Sequence, residues 1–275
     1  MASASFREVA PPRWLGGAVW SLWAQQPGPD EAPYQHRMVP NGSVHLVCQL
    51  GEIAEIVGPQ SASLIREIPV GSTVVGARMR PGAGGLLIGR PVCEIRDVTV
   101  AAQAVTGRWG NELGERLSQA GSPGRAVAVL AECLATRVSL ARPPDPVVAA
   151  AMERMLAEPL SPVGAAAEAG GLSARHLRRV FDVEVGLGPK ALQRLLRFQV
   201  VLAQVQQGLG CGQAQPPVLA DLAARAGYVD QSHLSHECVR LTGVSLQRFV
   251  RETTGRCSHG HDHVAAFTPF RAALR

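Results

Sequence analysis

The sequence predicts an α+β protein in which a β-rich, barrel- or sandwich-like N-terminal domain precedes an all-α C-terminal domain. Short apolar runs separated by turn residues fill the first part of the chain, and apolar residues recur at helical spacing after residue 105. A segment of the C-terminal half also repeats itself, and each copy has the pattern of two helices joined by a tight turn. We therefore expect two helix-turn-helix units joined by a long helix.

The composition is that of a packed globular protein with a mildly basic charge. The chain has 275 residues, of which 46% are hydrophobic and 18% charged, so it can hold one large domain or two ordinary ones. The net charge of +5 is compatible with a nucleic-acid partner but does not identify one. Lys190 is the only lysine. Arginine carries nearly all of the positive charge, as a GC-rich coding bias would also produce.

The first 105 residues contain six short runs rich in Val, Ile, Leu or Trp, which we predict to be strands. Turn residues such as Pro40-Asn41-Gly42 separate them, and residues 83–89 are expected to form one short helix. Such a pattern indicates a small barrel or sandwich. The predicted strands are Val19–Trp23, Ser43–Leu50, Glu52–Val57, Ser63–Ile68, Thr73–Met79 and Val92–Val100.

After residue 105 the spacing of the apolar residues predicts helices separated by a linker. Helices are predicted at 109–120 and 124–137, a proline-rich linker at 139–145, and a long helix at 189–207. The predicted parts are the β-rich domain 1–105, the helical connector and linker 106–145, the double helix-turn-helix domain 146–253 and the tail 254–275.

The repeat consists of residues 163–193, which overlay residues 220–250 without a gap. In each copy an Ala-rich helix meets a Gly-containing turn, and Ser173 or Asp230 then precedes the second helix. Both residue types are good helix N-caps. The second helix of a helix-turn-helix lies in the major groove, so the tandem copies predict binding to two successive major grooves of double-stranded DNA.

Helical periodicity selects the groove-facing residues of the two predicted recognition helices, at 173–181 and 230–238. In the first helix Leu177, Val180 and Phe181 form one buried stripe, which leaves the arginines outside it. Arginine can reach O6 and N7 of guanine with two hydrogen bonds, whereas the second helix offers hydroxyl, amide and imidazole groups. The candidate DNA-binding residues are Arg175, Arg178, Arg179, Gln231, Ser232, Ser235 and His236.

Two stretches resemble the DNA-binding domain of AraC/XylS-type transcriptional regulators. They read GLSARHLRRVFDVEVGLGPKALQRLLR at 171–197 and AGYVDQSHLSHECVRLTGVSLQRFVRE at 226–252. In that family two helix-turn-helix units are joined by a long helix, and each places one helix in the major groove. The resemblance covers roughly residues 146–252. It implies groove-facing roles for Arg175, Arg178, Arg179, Ser232, Ser235 and His236.

The sequence departs from the family pattern at three positions, all in the second unit. His236 stands where the family commonly has Arg, and Cys238 stands where a core Phe is usual. Leu246 replaces a proline that the first unit keeps as Pro189. We therefore expect the second unit to be looser and to contribute less to binding.

The N-terminal half also resembles the β-rich front domain found in one subgroup of these regulators, through residues 39–42 and 76–83. The resemblance implies effector sensing, dimerisation or both, and the chain is expected to be a monomer or homodimer. RNA polymerase is an expected partner if the protein is an activator. Polar candidates for an effector pocket, each with a structural role as the alternative, are Tyr34, His36, Arg37, His45, Arg78 and Arg80.

The sequence offers no pattern typical of an enzyme or a membrane protein. It contains no nucleophile–base–acid set, phosphate loop or paired carboxylates, so no catalytic, cofactor-binding or metal-binding residue is assigned. No apolar run reaches the roughly 20 residues of a membrane span, and residues 14–24 are predicted to be a core strand rather than a signal peptide. Six scattered cysteines indicate reduced thiols in a cytoplasmic protein.

Three alternatives remain open from the sequence. Cys257, His259, His261 and His263 could bind zinc or nickel, although a flexible polar tail is the simpler interpretation. The β-rich half could belong to a ligand- or metal-binding cupin-like protein or enzyme with an accessory helical domain, but its strands contain too few histidines. The third alternative is an adaptor whose helical domain has lost DNA binding.

Overall fold

The structure is a computed structural model that describes residues 5–27, 34–210 and 218–257, and it has the predicted α+β fold. The described strands are β1 (Ser5–Val9), β2 (Val19–Gln26), β3 (Tyr34–Met38), β4 (His45–Gln49), β5 (Glu55–Val57), β6 (Leu64–Ile68), β7 (Val74–Met79) and β8 (Thr99–Ala101). Six form an antiparallel sheet in the order β1-β2-β7-β4-β5-β8, and β3 pairs with β6 in a second sheet. The larger sheet has β1 and β8 as open edges, so the arrangement is sandwich-like.

The helices that follow the first strands are α1 (Gly84–Ile88), α2 (Ala102–Thr106), α3 (Arg108–Ser118) and α4 (Pro123–Ser139). Because successive side chains of a strand point to opposite faces, the large sheet is covered on both sides. Leu22 and Leu46 share a core with α3 and α4, whereas Trp23 and Val47 pack with the smaller sheet. The Trp23 ring lies across Gly76, where a Cβ would come within 2.3 Å of a ring carbon.

Two predicted strands are shorter than expected, and two strands were missed. The run from Glu52 forms a strand only over β5, and the run 92–100 contains a 3-10 turn at Val92–Ile95 before β8. Asp97 interrupts that run with a φ of 59°, a left-handed conformation that an extended strand cannot contain. Strands β1 and β3 are rich in polar residues, and their pairing with β2 and β6 compensates for this.

The C-terminal half is helical. Its helices are α5 (Pro146–Ala157), α6 (Val163–Ala169), α7 (Ala174–Val185), α8 (Pro189–Gly210), α9 (Leu219–Arg225), α10 (Gln231–Thr242) and α11 (Leu246–Cys257). Helix α8 is the predicted long connection between the repeats. None of the helices in the described ranges combines the length and apolarity needed to cross a membrane.

The β-rich and helical halves pack directly against each other. Trp20 of β2 belongs to the core of the helical half, and Leu192 of α8 lies against Gly42, where a Cβ would come within 2.3 Å of it. The buried Gln199 side chain of α8 donates a hydrogen bond to the carbonyl oxygen of Pro40, 3.0 Å away. The position of α8 is therefore fixed by contacts from the β-rich half as well as by its own helical neighbours.

Candidate nucleic-acid interface

The first repeat forms a helix-turn-helix from α6 and α7. Gly171, with a φ of 63°, makes the turn, and the Ser173 hydroxyl accepts a hydrogen bond from the backbone N–H of His176, 3.3 Å away. Helix α7 ends at Gly186, whose φ of 76° is left-handed. An N-cap hydroxyl and a left-handed glycine are the sequence signals that start and stop a helix.

The second repeat has the same construction from α9 and α10. Gly227 makes its turn with a φ of 69°, and the Asp230 carboxylate accepts a hydrogen bond from the N–H of His233, 2.7 Å away. Helix α10 ends at Gly243, with a φ of 75°. The sequence repeat is therefore also a structural repeat, in which the turn glycine, the N-cap and the C-terminal glycine occupy the same places in both units.

Each second helix buries one face and exposes the other. Leu177 and Phe181 of α7 are fully buried, and so are Leu234 and Cys238 of α10. Cys238 rather than the half-exposed Val239 faces the core of the second unit. The candidate residues Arg175, Arg178, Arg179, Gln231, Ser232 and His236 are exposed, and Ser235 is half-buried.

The structure brings the three candidate arginines of α7 together. Arg175, Arg178 and Arg179 line one concave surface with a volume of about 550 Å³, which also includes His176 and Asp182. The Arg179 guanidinium donates to Nε2 of His176, 3.2 Å away. A concentrated positive charge on an exposed helix is suited to phosphate oxygens and guanine edges.

The candidate residues of α10 form a polar surface with little charge. The Ser235 hydroxyl donates to the Gln231 carbonyl oxygen within the helix, 2.8 Å away. Arg240, one turn beyond His236 on the same exposed face, was missed by the sequence analysis. The signal was its spacing of four residues from His236, which places the two side chains next to each other.

Two basic residues of α8 bind protein groups instead of facing solvent. Arg194 donates through Nε and Nη2 to Oε1 of Glu237, at 3.0 and 2.8 Å, and Glu237 is buried. Arg197 lies over the ring of Tyr228, 5.9 Å from its centroid. Burial raises the pKa of the Tyr228 hydroxyl. These contacts attach the second unit to α8.

The effector-pocket candidates do not lie together. Only His36 lines a cavity between the two sheets, and the side chain of Tyr34 lies outside the described residues. Arg37 binds the helical half, and Arg80 donates to the Gly16 carbonyl oxygen, 3.5 Å away. The buried His45 lies 3.3 Å from the Asn41 side chain, and burial lowers the pKa of His45 to about 3. Arg78 lies beside the Glu8 carboxylate at 3.8 Å.

The cavity between the sheets has a volume of about 370 Å³ and a mixed lining. Trp23, Met38 and Val47 supply apolar surface, while Arg66 forms an ion pair with Glu55 at its wall. One guanidinium nitrogen of Arg66 is buried and has no hydrogen-bond partner among the residues that the structure describes. Small-molecule sites have this combination of apolar walls and a few directed polar groups.

Two domain families match the chain. One, described as "Helix-turn-helix domain", covers residues 166–252, which contain both units and α8. The C-terminal domain is an AraC-type helix-turn-helix domain. It is the DNA-binding domain of a transcriptional regulator. The other family, described as "Domain of unknown function (DUF6597)", covers residues 7–101 in the β-rich half. No curated protein sequence matches the chain.

Solved structures of ToxT from Vibrio cholerae are similar to this chain over most of its length. ToxT from strain O395 shares 8% identity at a TM-score of 0.45, with 91% of this chain and 99% of that chain covered. Another ToxT structure shares 10% identity at a TM-score of 0.42, with 90% of this chain and 98% of that chain covered.

Three of the four candidate metal ligands of the tail, His259, His261 and His263, lie outside the described residues. The fourth, Cys257, is the last residue of α11.

Proposed function

We propose that the protein is a sequence-specific transcriptional regulator that places α7 and α10 in two successive major grooves. The observation that carries this proposal is the duplicated geometry: both helices have an N-cap, a left-handed glycine at the end, a buried apolar face and an exposed polar face. In a helix-turn-helix protein the exposed face of the second helix contacts base edges. RNA polymerase is a further partner if the protein activates transcription.

The two helices would contribute differently to binding. The arginines of α7 supply base-edge and phosphate contacts, each worth about 1–3 kcal/mol where the geometry is bidentate. Gln231, Ser232, Ser235 and His236 of α10 supply neutral hydrogen bonds, and Arg240 supplies a phosphate contact at the end of the helix. Affinity should fall steeply with salt because the phosphate contacts release counterions.

A gel shift of the full chain against genomic fragments, including the gene's upstream region, tests this proposal. We expect a shift with a few fragments and an affinity that falls by about 5- to 150-fold for Arg178→Ala on those fragments. Arg108→Ala is the matched control, because Arg108 is exposed on α3 and pairs only with Glu112 in the described contacts. Equal binding by both variants, or binding to every fragment alike, would contradict sequence-specific readout.

We further propose that the β-rich half senses a small effector in the cavity between its sheets. The cavity volume lies within the range of small-molecule sites, and the unpartnered donor of Arg66 favours a ligand with an acceptor oxygen. Because Glu52, Glu55 and Glu67 also line the cavity, an uncharged ligand fits it better than a carboxylate. Thermal unfolding in the presence of a library of small amides, ketones and alcohols measures binding. A compound that raises the Tm of the wild type but not of Arg66→Leu supports the site, and equal shifts in both proteins contradict it.

The proposed function places the protein in the cytoplasm. We expect it to bind DNA there as a monomer or a homodimer. Sedimentation of the protein with and without duplex DNA distinguishes the two states.

A further inference from the structure

The β-rich half holds the C-terminal ends of both recognition helices through an arginine at each end. Arg96 donates through Nε to the carbonyl oxygen of Gly186, the residue that ends α7. Arg37 donates through Nη1 to the carbonyl oxygen of Thr242, the last residue of α10. Carbonyls at a helix C-terminus lack partners within the helix and carry partial negative charge, so a guanidinium stabilises both ends in the same way.

Each arginine also reaches a carboxylate of the DNA-binding domain. Arg96 forms an ion pair with Asp182 of α7, and Arg37 lies 3.8 Å from Glu252 of α11. Asp182 lines the same concave surface as the α7 arginines. By neutralising Asp182 from the side of the β-rich half, Arg96 also leaves those arginines available to bind phosphate.

Further contacts from the β-rich half accompany the arginines at both ends. Pro59 and Val92 pack so closely on Gly186 that a Cβ there would come within 3.2 Å of both. At the other helix the Ser63 N–H donates to the Leu241 carbonyl oxygen at 2.7 Å, and the Ser63 hydroxyl donates to the Thr242 carbonyl oxygen at 3.1 Å. Neither helix end can shift without breaking contacts with the β-rich half.

Apart from those of Arg37, these contacts come from two adjoining loops of the β-rich half, residues 58–63 and 92–98, which we call the clamp loops. The two loops bind each other through the Gly58 N–H to the Val98 carbonyl oxygen at 3.0 Å and the Asp97 N–H to the Pro59 carbonyl oxygen at 3.1 Å. The Asp97 carboxylate also accepts from the Ser61 N–H, 2.6 Å away. Arg37 lies in β3, which pairs with β6 directly after the first clamp loop.

The clamp loops therefore give the two recognition helices a second mechanical connection. The first is α8, which follows α7 and binds α10 through the Arg194–Glu237 pair. Without the clamp loops, α8 and the contact of Leu160 with Gly227 would join the units, and we expect the units to rotate about α8 more freely. With the clamp loops in place, the path from α7 through α8, α10 and these loops back to α7 is closed, and the separation of the helices is fixed.

We propose that Arg37, Arg96 and the clamp loops are positioning elements that set the separation of the recognition helices, and so determine which spacing between two DNA boxes the protein accepts. This inference rests on the proposed function. One inserted base pair moves the second box by about 3.4 Å and rotates it by about 35°. A fixed pair of helices cannot follow that change, whereas we expect a pair without the clamp contacts to follow it.

The test uses duplexes of about 30 base pairs, long enough for two boxes one turn apart, selected by the full wild-type chain from a random library. Each selected duplex is compared with versions that carry one base pair more or fewer between the boxes. The proteins are the wild type, Arg96→Ala, Arg37→Ala, the double variant and the control Arg108→Ala. Circular dichroism and thermal unfolding establish whether each variant is folded. If the double variant does not fold, the comparison uses the two single variants.

The wild type and Arg108→Ala should lose about tenfold or more in affinity with the altered spacings, because the contacts of one unit are lost. The Arg37 and Arg96 variants should bind the selected spacing more weakly and lose less than about threefold when it changes. A spacing penalty in a folded variant that equals that of the wild type overturns the inference. A wild-type chain that selects no duplex at all instead overturns the proposed function.

Discussion

The two helix-turn-helix units share their skeleton and differ in the surfaces built on it. Caps, turn glycines and the first buried leucine of each recognition helix coincide, whereas the exposed face has three candidate arginines in α7 and only Arg240 in α10. The two copies thus share the residues that begin and end each helix and differ in the residues that would contact DNA. A duplicated fold therefore need not bind with two equal halves.

The cores of the units differ as well. Phe181 fills the core of the first unit, and the corresponding residue of the second is Cys238. The Cys238 sulfur lies 3.5 Å from the Thr242 hydroxyl, which in turn donates to the Cys238 carbonyl oxygen at 2.7 Å. Burial raises the pKa of the Cys238 thiol, which keeps it protonated. The second unit replaces aromatic volume with a small polar network.

The largest effect that we expect is a difference in stability between substitutions in the two cores. Phe181→Ala should lower the free energy of unfolding by about 3–5 kcal/mol because it leaves a cavity among fully buried side chains. Cys238→Ala removes one atom from a smaller side chain and should cost about 1 kcal/mol. Urea denaturation followed by circular dichroism measures both values. Equal losses would show that the two cores have the same role.

The second comparison concerns binding. Arg178→Ala should weaken binding to a selected duplex by about 1–3 kcal/mol, since a charged bidentate contact is lost. Ser232→Ala, at the exposed start of α10, should cost about 0.5–1.5 kcal/mol, the net value of a neutral hydrogen bond. Fluorescence anisotropy with labelled duplex measures both. A larger loss for Ser232→Ala would assign the dominant role to the second unit.

Much of this comparison could be predicted from the sequence, because its signals are local. N-cap residues, turn glycines and the spacing of apolar residues determine α7 and α10 within a dozen residues. The contacts of Arg37 and Arg96 with the helix ends could not be predicted, because each joins residues far apart in the chain. Strand β3 was missed for the same reason: its polar residues are stabilised by pairing with β6.

A change of pH should affect the stability of the β-rich half through His45. Burial, with Arg78 and His36 nearby, lowers the pKa of His45 from 6.5 to about 3. Between these two pH values His45 is protonated in the unfolded chain but not in the folded chain. Its contribution to the free energy of unfolding is therefore fully present above pH 6.5 and decreases as the pH is lowered towards 3. The slope from this group is about 1.4 kcal/mol per pH unit.

Urea denaturation at pH 7.5, 6.5 and 5.5 measures this dependence. His45→Gln keeps a hydrogen-bonding side chain beside Asn41 but cannot bind the proton. Its free energy of unfolding should therefore change less with pH than that of the wild type, by the slope that one proton contributes. An identical profile for wild type and variant would place the acid sensitivity in other groups.

The smallest effect concerns corresponding positions at the ends of the two helices, which hold Val183 in α7 and Arg240 in α10. Arg240→Ala should reduce the slope of log affinity against log salt by about one unit, because one phosphate contact is lost. Val183→Arg should increase that slope by a similar amount. Slopes that do not change would exclude both positions from the phosphate contacts.

The most direct test of two-unit binding is protection of guanine N7 from methylation, since this atom lies in the major groove. On a duplex selected by the full chain, we expect two protected patches with centres about 10 base pairs apart. Arg178→Ala should remove protection from one patch and leave the other. A single patch, or no protected guanine in a bound duplex that contains guanine in both boxes, would contradict the account.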